Sequence, residues 1–444
     1  MVAMNLLAIW WRAKRLLPGR PMRRYGIFAG TSTFTDLRRL IAGWCFDKAV
    51  DEVKIVASYE RQFAEACGAR HAVSFGAGRM ALYAILEALG VGPGDEVIIP
   101  AFTCVVVPNA ILYRGARPVF VDIEVRTFNI DVKQVEKAIT PRTKALYAQH
   151  TFGVPCDVAA LRDIGKRRNL PVIEDAAHAL GARQDGMQAG TMTEVAFFST
   201  DHSKVVSTHL GGMAVTNDDL LADRIRQIQS SSEGVDAYTR SRLLLSFALE
   251  LLLFMPAILW IGRKIHAVLV RIGIIYCYRD ELDVKKPINY PCRLSGLQAR
   301  LGLSQLDNLA GNLEHRRESV RLLEREIRWY GMSDVVLDAC TWLRYSFLVR
   351  DRGAVQSALT RTFDLDIWFT SVVGGREVDL GAVGYETGSC PNAEYVAEHI
   401  VNLPTHLRIP HSALAAEMSR NRALLQDNVD RTVAGGPEYD IARG

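Results

Sequence analysis

An acidic residue ends one of the buried apolar runs of this sequence. Asp175 follows the run at residues 171–174, and Ala-Ala-His178 comes directly after it. A carboxylate at a buried strand end is costly unless a cation or several donors satisfy it. One such partner is the protonated ring nitrogen of pyridoxal phosphate (PLP), because a fixed anion keeps that nitrogen protonated and the ring can then accept the electrons of a substrate carbanion. For Asp175 taken alone, a helix cap or a metal ligand is the more common alternative.

A lysine that could act as a nucleophile lies 29 residues further on. Lys204 follows the apolar run 195–199 and precedes Gly211-Gly212. A lysine in a loop at the strand ends can form a Schiff base with an aldehyde, and Ser199 can donate to a phosphate. A lone lysine is usually a surface charge. The ordered pair of a strand-end Asp175 and Ser-x4-Lys-x6-Gly-Gly favours a PLP site instead.

Two further stretches could complete such a site. Residues 74–82 predict a strand, a turn of small residues and a helix, so that the amides of Ala77, Gly78 and Arg79 at the helix start would bind a phosphate. Phe102 follows the next strand. Its ring is predicted either to stack on an aromatic cofactor or simply to belong to the core.

The elements that must position these residues alternate regularly from residue 58 onward. Apolar runs alternate with helical stretches, which predicts an α/β domain with a mostly parallel, seven-stranded sheet and helices on both faces. Ligands bind at the carboxyl ends of strands in such sheets. The predicted strands are 72–75, 96–101, 118–123, 144–150, 171–174, 195–199 and 212–216, and the helices between them include 78–89, 106–113 and 158–168.

The rest of the chain falls into three other segments. A long helix (296–330), a strand (342–350), a helix (354–363) and a final helix (412–426) predict a smaller C-terminal α+β domain. The predicted organisation is a basic amphipathic N-terminal arm (1–57), a large PLP-binding α/β domain (58–242), a hydrophobic helical insertion (243–285) and the small C-terminal domain (286–444).

The insertion and the N-terminal arm both suggest contact with a membrane surface. Residues 243–261 carry one charge, Glu250, but a full crossing is disfavoured because Arg263 and Lys264 would have to pass through hydrocarbon. We therefore expect an in-plane or re-entrant helical pair; a buried helix pair between subunits is the alternative. The basic side chains expected at headgroup level are Arg240, Arg242, Arg263, Lys264 and Arg279.

Residues 1–24 strengthen this interpretation. They hold six basic residues, no acids, and Trp10 and Trp11, which is typical of a segment that lies at a membrane interface. The alternative is an arm packed on the protein body or on a partner subunit. The basic residues follow the apolar ones, unlike those of a signal peptide.

Composition excludes several classes of protein. With 49% hydrophobic and 23% charged residues the chain is globular rather than disordered or fibrous, and a net charge of +4 is too mild to demand nucleic acid. The eight cysteines form no C-x-x-C pair and no metal-ligand spacing. They predict reduced thiols, no metal, and a cytoplasmic protein that is peripheral on the inner face of the membrane if the basic segments bind it.

Taken together, these motifs resemble the DegT/DnrJ/EryC1/StrS family, the PLP-dependent sugar-nucleotide aminotransferases of fold type I. The resemblance covers about residues 58–230 and resumes near 288. The matching stretches include GPGDEVIIPAFT, ARPVFVDIEVRTFNID, VIEDAAHALGA, RLSGLQARLGLSQLDNL, CPNAE (390–394) and NLPTH (402–406).

The resemblance implies a role for each candidate residue. Lys204 matches the Schiff-base lysine and Asp175 the partner of the pyridine nitrogen. Ser199 with the Ala77 and Gly78 amides matches the phosphate site. Phe102 matches the ring-stacking aromatic residue, and His178 takes the place of the family's Gln or His near the phenolic oxygen of the cofactor.

Two motifs depart from the family pattern. The family's Asn-Tyr-Arg-Met loop, which reaches the cofactor phosphate of the neighbouring subunit, is Tyr290-Pro-Cys-Arg-Leu here; Arg293 aligns, and Asn289 would have to replace the Asn. The family's Gly-Glu-Gly-Gly reads Thr208-His-Leu-Gly-Gly212 here. These changes affect the expected substrate more than the cofactor.

The family implies a homodimeric transaminase with shared active sites. Its expected donor is glutamate, and its expected acceptor is a keto-deoxysugar linked to a nucleotide, used for surface polysaccharide or glycoconjugate biosynthesis. A membrane-docked aminotransferase with a lipid-linked acceptor and a non-catalytic scaffold with the PLP fold are the alternatives. The intact set of Asp175, Ser199 and Lys204 disfavours the scaffold.

Overall fold

The computed structural model describes residues 24–27, 30–46, 52–276 and 283–433. Most of the predicted N-terminal arm and Arg279 lie outside the described residues. The strands are β1 (Tyr25–Gly26), β2 (His71–Phe75), β3 (Glu96–Pro100), β4 (Thr103–Cys104), β5 (Arg117–Val121), β6 (Thr143–Gln149), β7 (Val172–Asp175), β8 (Arg183–Gln184), β9 (Met187–Gln188), β10 (Val195–Ser199), β11 (Gly212–Thr216), β12 (Arg344–Leu348), β13 (Phe363–Asp364), β14 (Val373–Gly374) and β15 (Ile400–Pro404).

The helices surround one large sheet. In the described part of the chain they are α1 (Phe34–Phe46), α2 (Glu52–Cys67), α3 (Gly78–Ala88), α4 (Val106–Tyr113), α5 (Val132–Ala138), α6 (Val158–Arg168), α7 (Asp219–Ser231), α8 (Ala237–Leu253), α9 (Leu259–Arg271), α10 (Gly296–Leu306), α11 (Leu309–Ile327), α12 (Asp334–Ala339), α13 (Arg352–Leu359), α14 (Pro391–His399), α15 (His411–Arg420) and α16 (Arg422–Asn428).

The large sheet has seven strands in the order β2-β11-β10-β7-β6-β3-β5. The pairs β10/β7, β7/β6, β6/β3 and β3/β5 are parallel, whereas β11 is antiparallel to both of its neighbours. This confirms the mostly parallel, seven-stranded α/β fold predicted from the sequence, and each of the seven predicted strands is present within one or two residues.

Both faces of the sheet are covered, which is why its strands have nearly continuous apolar runs. In β3, Ile98 belongs to the core cluster that includes Phe63 of α2 and Leu161 of α6. Its neighbour Val97 belongs to the cluster on the other face, with residues of α3, α4 and α7. The carboxyl ends of the parallel strands therefore meet at one edge, where the loops after β7 and β10 lie close together.

The predicted long C-terminal helix is wrong, because the structure divides it into α10 and α11 at Asp307 and Asn308. The predicted final helix likewise divides at Asn421, whose side chain donates to the carbonyl of Glu417. At Asn421 a short polar side chain thus competes with the helix backbone for a hydrogen bond. The C-terminal core also includes Phe102 and Phe128 of the predicted large domain, so it is continuous across the predicted domain boundary.

The predicted insertion is a helical pair, but it begins at Ala237 rather than at residue 243. The helices α8 and α9 are joined by a short turn that contains Pro256, and Gly262 lies so close to the Leu253 carbonyl that a side chain there would overlap it. Among the described residues, no helix combines the length and apolar character that crossing a membrane requires.

Two of the cations expected at headgroup level instead have partners within the protein. Arg263 pairs with Asp364 at 2.6 Å and with Asp366 at 3.1 Å. Arg240 pairs with Glu52 at 2.9 Å. This corrects the expectation for these two side chains, whose charges are satisfied without lipid.

Candidate active site

Asp175 lies at the carboxyl end of β7, as predicted, and is 6% exposed. The Tyr147 hydroxyl of the neighbouring strand β6 donates to its Oδ2 at 2.7 Å, and the amide of Ala177 donates to its Oδ1 at 3.0 Å. Burial raises the pKa of Asp175, while these two hydrogen bonds and the positive charge of Lys204 oppose that effect. The carboxylate is thus ready to accept a further donor or cation.

Lys204 lies in the loop between β10 and β11 and is 8% exposed. Thr31 donates to its carbonyl at 2.9 Å, and its own amide donates to the carbonyl of Asp201 at 3.0 Å, which fixes the loop. Burial lowers the pKa of the Lys204 ammonium below its ordinary value, although Asp201 and Asp175 act in the opposite direction. A depressed pKa makes the amine available as a nucleophile and as a base.

The predicted phosphate site is assembled where β10 meets the start of α3. Ala77 is the N-cap residue in an extended conformation and its side chain provides no cap. The amides of Ala77 and Gly78 have no hydrogen-bond acceptor among the described residues. A Cβ placed on Gly78 would lie 2.8 Å from Cβ of Ser199. A free helix N-terminus beside a serine hydroxyl is a site for an anion such as phosphate.

His178 lies beside Lys204 with its ring between two aromatic rings. The centroids of the Phe152 and Trp368 rings are each 5.9 Å away, with interplanar angles of 4° and 24°. The Phe152 amide donates to Nδ1 at 3.2 Å. Burial, together with the charges of Lys204 and Arg344, holds the pKa of His178 well below its usual value. The ring is therefore neutral, and with Nδ1 accepting, the proton is assigned to Nε2, which can donate to an oxygen in the site.

The structure does not bring Phe102 to this site. Its ring is fully buried against Phe128, Phe152 and Phe369, and a ring with no exposed surface cannot stack on a cofactor. Cys104, two residues further on, is partly exposed. The predicted stacking role of Phe102 is corrected in favour of its alternative, a core residue.

Asn289 and Arg293 lie outside this group of residues. Both side chains are exposed, and their loop runs beside the start of α3, where the amide of Gly76 donates to the Cys292 carbonyl at 2.9 Å. Asn289 lines a separate cavity of about 290 Å³, together with Arg79. Among the described residues neither contacts Lys204, and their role at the site of a second subunit stays a prediction.

Three residues of the site were not predicted from the sequence: Tyr147, Arg344 and Trp368. The Nζ atom of Lys204 lies 5.0 Å from the centroid of the Trp368 ring, and the Arg344 guanidinium lies 3.6 Å from the same centroid. Tyr147 belongs to a predicted strand, and its hydroxyl within an apolar run is the feature that could have identified it. Arg344 and Trp368 come from the distant C-terminal part of the chain, where no local pattern marks them.

The inserted helices reach the loop that carries Lys204. His209 Nδ1 lies 3.5 Å from Glu250 of α8, whose other oxygen is 3.1 Å from Nε2 of His266 in α9. Between this loop and the helices is a cavity of about 400 Å³. His209 has φ +68°, a conformation that glycine adopts without strain. His209 thus combines a backbone conformation that favours glycine with a side chain that contacts the inserted helices.

The chain is similar to known aminotransferases over most of its length. A relative, GDP-perosamine synthase of Caulobacter vibrioides, is 42% identical over 187 residues, which is 42% of this chain and 50% of that protein. The chain thus matches about half the length of that curated relative. Among solved structures, DesV of S. venezuelae has a TM-score of 0.66 at 25% identity, covering 88% of this chain and 94% of that one.

A second solved structure agrees with the first. The aminotransferase TlmJ of Streptoalloteichus hindustanus has a TM-score of 0.67 at 25% identity, covering 90% of this chain and 98% of that one. The model of one aminotransferase family matches residues 48–416. The buried lysine, the strand-end carboxylate and the free helix N-terminus beside Ser199 fit the cofactor of that family. The chain belongs to the DegT/DnrJ/EryC1/StrS aminotransferase family, whose members depend on PLP.

Proposed function

We propose that the chain transfers an amino group from glutamate to a keto-deoxysugar linked to a nucleotide, for surface polysaccharide or glycoconjugate biosynthesis. The observation that supports this most directly is the buried pair of Lys204 and Asp175, each of which shifts the pKa of the other. The acceptor is inferred from the relative in Caulobacter vibrioides, whose name assigns it a GDP-linked amino sugar. The donor follows from the family resemblance.

Different residues of the chain would have different roles in such a reaction. Ser199 and the amides of Ala77 and Gly78 would hold the phosphate of PLP, and Asp175 would hold its ring nitrogen in the protonated form. When bound, PLP supplies an aldehyde carbon that takes over the amino group and an electron-poor ring that accepts the electron pair released at the donor Cα.

Lys204 would move the protons. Its amine, with the pKa lowered by burial, removes the proton from Cα of the donor and later delivers a proton to the carbon that was the ketone of the acceptor. His178, held neutral, would donate its Nε2–H to the phenolic oxygen of PLP. The nearby Trp368 ring shields the amine from water on one side.

Amine transfer from ¹⁵N-labelled glutamate to a panel of nucleotide-linked ketosugars tests this function. We expect label in the sugar product with the native chain, and none with Lys204→Ala, because that variant lacks both the base and the covalent attachment. Borohydride reduction of the holoenzyme followed by peptide mapping should place the PLP label on Lys204. A label on another lysine, or labelled product from Lys204→Ala, would contradict the assignment.

The active enzyme is proposed to be a homodimer in the cytoplasm. The exposed positions of Asn289 and Arg293 support a role at the site of a partner subunit, since neither contacts the site of its own chain in the described residues. The cysteines that the structure describes are free thiols, which supports a reducing compartment.

A further inference from the structure

The helix α9 has an outer face that is both apolar and cationic. Five large apolar side chains on this face or directly after it are exposed, namely Trp260 (39%), Ile261 (39%), Ile265 (41%), Val268 (57%) and Ile272 (61%). Lys264 and Arg271 are exposed between them, and neither has an acidic partner among the described residues. Positions 260, 264, 268 and 271 share one side of a helix, as do 261, 265 and 272 beside them.

The opposite face of α9 explains why this helix stays fixed to the protein. Leu259 is buried beside Gly26, and Gly262 is buried against the backbone of Leu253 at the end of α8. Arg263 is paired with Asp364 and Asp366, and His266 with Glu250. The polar side chains on the inner side of α9 thus have partners within the protein. The apolar face points outward, and the charged side chains on it are all cations.

We propose that the outer face of α9 is a docking surface for a bilayer that contains anionic lipids. An in-plane helix of this kind inserts its apolar side chains below the headgroups, while its lysine and arginine side chains reach anionic headgroups. Trp260, at one end of the face, is suited to the interface itself. This proposal does not depend on the proposed reaction, because it concerns only where the protein is held.

The N-terminal segment supports this choice of partner. The amide of Arg24 donates to the carbonyl of Pro256 at 2.9 Å, so residues 1–23 join the described structure at the turn between α8 and α9. That segment holds five basic residues, no acids and two tryptophans. It has the same sign of charge as the face of α9, so the two would repel each other and both would be attracted to an anionic surface.

Charge also disfavours a second copy of the chain as the partner. A two-fold contact between two α9 faces would set Lys264 and Arg271 against their own copies, with no acid on either face to compensate. A bilayer with anionic lipids satisfies both the apolar and the cationic side chains at once.

Co-sedimentation of the full chain with lipid vesicles tests the proposal. We expect tight binding to vesicles of phosphatidylcholine with phosphatidylserine, at least about tenfold weaker binding to phosphatidylcholine alone, and loss of binding in high salt. The double variant Lys264→Gln/Arg271→Gln should bind about 25-fold more weakly, at about fivefold per cation. Ile265→Ser/Val268→Ser should lose about tenfold per side chain.

Matched control variants test whether the loss of vesicle binding is specific to the outer face of α9 or follows from removing any exposed cation or apolar side chain. Lys133→Gln/Lys137→Gln on α5 removes two exposed cations, and Leu220→Ser/Val335→Ser removes two side chains that are 71% and 79% exposed on α7 and α12. Both should bind vesicles like the native chain. Equal losses in these controls, or native binding by the α9 variants, would overturn the proposal.

Two further measurements test whether a second copy of the chain, or the N-terminal segment, covers the outer face of α9 instead of a bilayer. Light scattering should give the same molecular mass for the native chain and for Ile265→Ser/Val268→Ser; dissociation of an oligomer by this variant would show that a second copy covers the face and would overturn the proposal. Trp10→Ala/Trp11→Ala should weaken vesicle binding. If it strengthens binding, the N-terminal segment itself covers the face, and the proposal fails.

Discussion

Tyr147 and Asp175 are joined by a 2.7 Å hydrogen bond between neighbouring parallel strands, β6 and β7. Both side chains are buried, and burial raises the pKa of each. The phenol therefore stays protonated and donates a hydrogen bond to the carboxylate, which stabilises the ionised form of Asp175. Tyr147 is thus a positioning residue for the anion that the cofactor ring requires.

Replacing Tyr147 by phenylalanine should weaken PLP binding and turnover. A hydrogen bond to a charged group contributes about 1.5–3 kcal/mol, so we expect a loss on the order of tenfold or more in PLP affinity. A titration of the apoenzyme with PLP, followed by absorbance, measures it. The control is Tyr395→Phe, which removes a 2.6 Å hydrogen bond to Asp430 far from the site. Equal PLP affinity in the native chain and Tyr147→Phe would show that Asp175 does not need the phenol.

Replacing Gly78 by alanine should block the phosphate site. Its φ is not positive, so the expected effect comes from space: the new Cβ would lie 2.8 Å from Cβ and 3.0 Å from Cα of Ser199, and the backbone there cannot move aside. We expect a large loss of affinity for PLP and a much smaller one for pyridoxal, which has no phosphate.

The matched control for this prediction is Gly311→Ala. No atom lies within 4 Å of a Cβ at that helical position, so this variant should be neutral or more stable by about 0.5–1 kcal/mol. If Gly78→Ala lowers the affinities for PLP and pyridoxal equally, the glycine does not act through the phosphate.

The His202–Asp201 pair should make stability depend on pH. Burial lowers the pKa of His202, but the carboxylate of Asp201 at 2.9 Å overrides this and raises it to about 9, from an ordinary 6.5. The folded chain thus binds this proton more tightly than the unfolded chain does. The pair stabilises the fold fully below about pH 6.5, and its contribution is lost as the pH rises to about 9.

Urea unfolding at several pH values checks this sign. Between pH 6.5 and 9 the native chain should lose more stability than His202→Asn, whose side chain does not titrate. The side chain of His202 is 36% exposed, so solvent screening reduces the size of the effect. Parallel curves for the two proteins would contradict the assigned pKa.

The site residues at the strand ends could be predicted from the sequence. Each lies at the end of an apolar run, and such a run is typical of a strand buried in a parallel sheet. Asp175 and Ser199 end such runs, and Gly78 begins the helix after another. The order of the strands in the large sheet then determines which of these residues lie next to each other at its carboxyl edge. The α/β fold could be predicted for a similar reason, because the alternation of strands and helices along the chain determines a mostly parallel sheet with helices on both faces.

Phe102 shows where sequence reasoning fails. In the short stretch after β3 the chain changes direction, so the type of a residue does not tell which side it faces, and the Phe102 ring is fully buried in the core. Arg344 and Trp368 approach the site only through packing of the C-terminal part of the chain onto the large sheet. No pattern within a few residues of either position carries that information.

The loop of Asn289 and Arg293 leads to the prediction about assembly. Both residues are exposed, and if they serve the site of the partner subunit, two inactive variants should complement each other. In a mixed dimer of Lys204→Ala and Arg293→Ala, the only intact lysine receives the intact arginine of the other subunit.

Co-expression with two different affinity tags and sequential purification yields that mixed dimer, and it should have about half the activity of the native dimer, since one of two equivalent sites is complete. Each variant alone should be inactive or strongly impaired. If Arg293 instead serves its own subunit, the mixed dimer contains no complete site, so an inactive mixed dimer would contradict a shared site.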